Sequence, residues 1–95
     1  MQNKTDIQNL TADIKKLIAD IEQVDWKDEC WPGYEQQAEE NQESVLWNLT
    51  EAYNLAKKGN YDWAVEYLES AWSAEMCGEF EPFYTEAIYT KYCKQ

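Results

Sequence analysis

Apolar positions three and four residues apart run through most of this chain, and they predict helices rather than strands. Ile7, Leu10, Ile14, Leu17, Ile21 and Val24 form one narrow stripe, which predicts a first helix over 5–24. Ala38, Gln42, Val45, Leu46, Leu49, Ala52, Tyr53 and Ala56 trace the inward side of a second helix over 35–58. That period stops at Lys57-Lys58-Gly59-Asn60 and restarts at once. Two cations oppose the negative end of a helix dipole, Gly59 can close the helix in the left-handed conformation, and Asn60 can cap the next one. The segment 47–72 is therefore expected to be an antiparallel helical hairpin. Its second arm, 61–76, turns Ala64, Leu68, Ala71, Trp72 and Tyr61 inward. Pro82 suits the first turn of a fourth helix over 82–92, with Phe83, Ala87, Ile88 and Tyr92 facing the core. The expected fold is all-α, a compact four-helix domain, and 95 residues make a single domain of 1–95.

The first stripe has the Ile and Leu alternation of a two-stranded coiled coil, but it lasts fewer than three heptads. Packing within the chain, as a monomer, is the favoured expectation. A homodimer through Ile7, Leu10, Ile14, Leu17, Ile21 and Val24 is the alternative. Between the first two helices, Trp31-Pro32-Gly33-Tyr34 places Pro and Gly where a tight turn needs them. Trp26 and Trp31 alternate there with Asp25, Asp28 and Glu29, so the segment either covers the core or makes contacts.

Charge changes the picture most. Nineteen Asp and Glu face eight Lys, with no Arg and no His, for a net charge of −11. Direct nucleic-acid binding and attachment to anionic membrane are not expected, because both depend on cationic side chains. A basic protein surface would be attracted. Between Leu17 and Ala56 the carboxylates Asp20, Glu22, Asp25, Asp28, Glu29, Glu35, Glu39, Glu40, Glu43 and Glu51 are opposed by Lys27 alone. Asp62, Glu66, Glu69, Glu75, Glu79, Glu81 and Glu86 form a second run with no Lys.

Absence of His excludes Ser-His and Cys-His catalysis, Cys/His zinc sites and Glu-x-x-His di-iron sites. Three dispersed glycines supply no phosphate loop. No metal, no cofactor and no catalytic residue is expected. Cys30, Cys77 and Cys93 have no redox or metal-binding spacing and fit free thiols in a cytoplasmic protein, although one bonded pair is an alternative. No secretory or membrane-spanning run is expected, so three Asn-x-Thr sequences are read as chance.

Gly59-Asn60-Tyr61, Ala64, Tyr67-Leu68 and Ala71, preceded by Trp47-Asn48-Leu49 and Ala52-Tyr53, resemble one tetratricopeptide-like hairpin. That resemblance implies a helical adaptor for protein partners. Glu39-Glu40-Asn41-Gln42-Glu43 with Glu66 and Glu69 resembles the carboxylate pattern of all-α nucleotide pyrophosphohydrolases, which implies magnesium between facing helices. In overall character the chain resembles small acidic phage and plasmid inhibitors, the anti-CRISPR and antirestriction proteins that imitate DNA. This last resemblance implies an inhibitor that occupies the basic surface of a nuclease or toxin. The expected contact residues are Asp25, Asp28, Glu29, Glu35, Glu39, Glu40 and Glu43, with Trp26, Trp31 and Tyr34 as anchors.

Overall fold

A computed structural model describes residues 4–76 and 84–93, with the side chains of residues 4 and 5 left aside. Five helices follow one another: α1 (Lys4–Glu22), α2 (Trp26–Glu29), α3 (Glu35–Lys57), α4 (Tyr61–Met76) and α5 (Glu86–Tyr92). The described residues contain no strand, so the all-α expectation holds.

The α3–α4 hairpin is the scaffold. Gly59 has φ +83°, its N–H donates to Ala56 O at 3.0 Å, and the Asn60 N–H donates to Leu55 O at 2.9 Å. Those paired bonds satisfy carbonyls at the end of α3 and reverse the chain within two residues. Asn60 Oδ1 then accepts from Trp63 N–H at 3.4 Å, which caps α4 as its sequence position suggests. Ala52, Ala56, Ala64 and Ala71 are fully buried in the core of this hairpin together with Leu49 and Leu68. Small side chains let two helix backbones approach closely, so the broadest interface in the domain is the one between α3 and α4.

Against α3 lies α1, which buries Leu10, Ile14 and Ile21 completely and Leu17 and Val24 in part. Five of the six stripe positions thus pack in the chain's own core, and Ile7 is half-buried. The segment expected as a plain linker contains a full helical turn, because Asp25 accepts from Lys27 N–H at 3.1 Å and caps α2. Gln42 on α3 holds the α1–α2 corner. Its Nε2 donates to Ile21 O at 3.0 Å and Val24 O at 2.6 Å, while its Oε1 accepts from Trp26 N–H at 3.1 Å. Gln42→Leu keeps the volume but strands the Trp26 N–H and the Val24 carbonyl, while Ile21 O keeps the bond it accepts from Val24 N–H at 3.2 Å. Urea unfolding should register a loss of about 2 kcal/mol.

The last helix is pinned from two sides. Trp72 on α4 stacks on Tyr89 at 4.1 Å between ring centres, and its Nε1–H donates to Glu86 at 2.7 Å. From α1, Asp13 accepts from Lys91 Nζ at 2.8 Å and from Tyr92 O–H at 2.5 Å. Burial works against the Asp13 charge, but these hydrogen bonds and the positive charges of Lys91 and Lys16 hold its carboxyl below the usual value. Ile88 and Tyr92 face inward as expected, whereas Ala87 is exposed. The inward side of α5 is the i, i+4 pair Ile88 and Tyr92, and Ala87 falls outside it. Pro82 and Phe83 lie outside the described residues.

Candidate functional site

Seven carboxylates were expected to make a contact surface over α2 and the first half of α3. Asp25, Asp28, Glu29, Glu35, Glu39, Glu40 and Glu43 are all exposed. Several have local work. Asp25 caps α2, Glu29 accepts from Tyr84 O–H at 3.0 Å, Glu35 from Gly33 N–H at 3.0 Å, and Glu40 from Gln36 Nε2 at 3.3 Å. Lys27 lies 3.7 Å from Glu39, with both side chains near half exposed. A pair that open to water neutralises little of the surrounding field. No ion pair involves Asp28 or Glu43 among the described residues.

The expected anchors divide. Trp31 is 71% exposed and Tyr34 40%, on a turn closed by Tyr34 N–H to Trp31 O at 3.1 Å. Gly33 at φ +96° meets the backbone demand of that turn after Pro32. Trp26 is not available to a partner. It is 9% exposed and stacked at 5.5 Å on Tyr84, in the turn before α5, because as the first residue of α2 it lies against α3 and the core. Glu75 also leaves the predicted negative surface. It is 4% exposed, with Oε2 accepting from Tyr84 N–H at 2.9 Å and Oε1 from Thr85 N–H at 2.8 Å and Thr85 O–H at 2.7 Å. Asp62, Glu66, Glu69 and Glu86 are exposed, and Glu79 and Glu81 lie outside the described residues.

Two further aromatics stand at the surface. Trp47 is 58% exposed and Trp63 60%, with Trp47 edge-to-face against Tyr67 at 6.0 Å. A signal for Trp47 was present in the sequence. It sits between the inward residues Val45 and Leu49, hence off the apolar stripe and on the same outward side as Glu40 and Glu43.

The two halves of the magnesium-type pattern are not brought together. An open groove of about 550 Å³ along α3 and α4 is lined by Asn41, Ser44, Asn48, Glu66, Glu69, Ser70, Ser73 and Ala74. Helix α3 thus contributes amides and a hydroxyl there, while Glu39, Glu40 and Glu43 do not line it. Among the described residues no three His, Cys, Asp or Glu side chains gather closely enough to hold a metal ion.

Cys30 and Cys93 are free thiols. Burial, followed by the charges of Glu69 and Glu66, pushes the Cys93 thiol up to about 11. Only the thiolate is nucleophilic, so iodoacetamide at neutral pH should label Cys93 at least ~10-fold more slowly in the folded chain than in denaturant. Peptide-resolved mass spectrometry checks this, and equal rates would contradict the half-buried position.

No described helix is long and apolar enough to cross a membrane. The chain matches no protein family, no curated protein and no solved structure.

Proposed function

We propose that this chain is an acidic protein-binding inhibitor that occupies a basic, nucleic-acid-binding surface of a partner such as a CRISPR or restriction nuclease. The observation that carries the reading is the outward side of α2 and α3. Asp28, Glu39, Glu40 and Glu43 are exposed there on helices, and Trp31 and Tyr34 are exposed in the turn that joins the two. Carboxylates on a rigid helix would meet the Lys and Arg that otherwise hold phosphates, while Trp31 and Tyr34 would supply desolvated anchors. Only one cation, Lys27, is paired with this surface among the described residues. Long-range attraction then governs how fast a basic partner arrives.

The test uses a partner recovered from the native host. Reversing Glu39, Glu40 and Glu43 together to Lys should slow association by about 10-fold or more at low salt and flatten its salt dependence. Dissociation should change less. Association kinetics that ignore both the reversals and the salt series would dismiss the reading. A tetratricopeptide-like adaptor, the second reading, is favoured by the buried alanine seam of the α3–α4 hairpin. Its binding would depend weakly on salt, which separates it from the first.

A further inference from the structure

The groove between α3 and α4 lies on another side of the hairpin from Glu39, and its lining is selective in kind. Glu66 and Glu69 form no ion pair among the described residues. Across from them, Asn48 Nδ2 donates to Ser44 O at 2.9 Å, which leaves Oδ1 as the atom of this amide that accepts. Asn41, Ser44, Ser70 and Ser73 add further acceptors along the walls. At the end nearer the hairpin turn, chain neighbours of Asn48 and Glu66 provide the edge-to-face pair Trp47 and Tyr67. Trp63, one helical turn before Tyr67, extends the aromatic surface.

We infer that this groove receives arginine side chains from a basic segment of a protein partner. The inference rests on the reading of the chain as an acidic protein-binding module and names the chemistry of what it binds. Three features select guanidinium over ammonium. Five N–H donors in a plane match carboxylates and amide oxygens set along two walls, the planar cation stacks on an indole face, and its weaker hydration lowers the cost of leaving water. A lysine offers only a compact, strongly hydrated charge. Trp, Tyr and Arg are also the residues over-represented where interfaces concentrate their binding energy, which fits exposed indoles beside carboxylates.

Arginine and lysine homopeptides of equal length test the inference on the intact chain, followed by two-dimensional NMR of backbone amides and indole N–H groups. The arginine peptide should bind about 10-fold more tightly and shift Trp47, Tyr67, Asn48 and Ser70. Trp47→Ala and the double variant Glu66→Gln with Glu69→Gln should each abolish that preference. Both alter exposed positions, and an unchanged helical circular dichroism spectrum confirms the fold. Asp20→Asn with Glu22→Gln, exposed on α1, removes the same charge and should leave the preference intact. Equal affinity for the two peptides, or a preference that survives both groove variants, would overturn the inference. Neither result bears on the Glu39, Glu40 and Glu43 reversals, so the two readings fail separately.

Discussion

Replacing Glu75 by Ala should destabilise the domain by about 3–4 kcal/mol, lowering its melting temperature by roughly 15–25 °C. The carboxylate is buried and accepts three hydrogen bonds, two from backbone N–H groups at the start of α5 and one from the Thr85 hydroxyl, itself fully buried. Removing it strands donors that water reaches poorly, and a donor without a partner costs more than the bond contributed. Glu75→Gln should cost about half as much. Its oxygen can still serve Thr85, but its amide nitrogen, a donor, would face the Tyr84 N–H. Hydrogen exchange should show the α5 amides losing protection first, since this carboxylate is the hinge pin between α4 and α5. An Ala variant that melts within a few degrees of the parent would contradict the assignment.

A melting temperature that falls by on the order of 10 °C as pH rises from about 8 to 11 is the second large effect expected. Burial, and then a hydrogen bond to Glu29, pushes Tyr84 up to about 12. Burial and the bond to Asp13 push Tyr92 up to about 12, against the opposing influence of Lys91. Burial with two carboxylates raises Cys93 to about 11. The unfolded chain releases these protons near the ordinary values of 10.0 for tyrosine and 9.0 for cysteine. A group raised on folding contributes stability that is complete below its unfolded value and is lost as pH climbs through its folded one. The loss therefore begins near pH 9 and is complete near 12. Growing negative charge on a chain already at −11 acts in the same direction. Tyr92→Phe should blunt the alkaline limb while lowering stability at neutral pH, and a flat profile would show that these groups sit in water. The opposite limb belongs to Asp13, whose lowered value places its contribution above the unfolded carboxyl range and removes it in acid.

The same contacts show how differently local and distant partners are written in a sequence. Gly59 and Asn60 carry their own instructions, because a left-handed residue and a side-chain cap act within a few positions of themselves. The α3 stripe likewise announces Gln42 as inward. What it cannot announce is that this amide reaches the end of α1 and the start of α2 at once. Trp31 and Trp26 are five residues apart in a similar acidic setting, yet one is exposed and the other closes the core. Packing on α3, with Gln42 holding its N–H, and the stacking of Tyr84, brought from the far end of the chain, separate them. Of the candidate contact surface, the exposed carboxylates were legible as the polar side of a helical period. The exclusion of Glu75 was not, since its three donors arrive from a segment nine and ten residues later.

By itself the sequence determined the longer helices, the hairpin and the sign of the surface, since periodicity, capping and charge are read within a few residues or summed over all of them. Tertiary structure alone decided which acidic and aromatic side chains leave that surface for the interior. Burial depends on which distant segment lands on a residue, and Glu75 and Trp26 are hidden by contacts that no local pattern encodes.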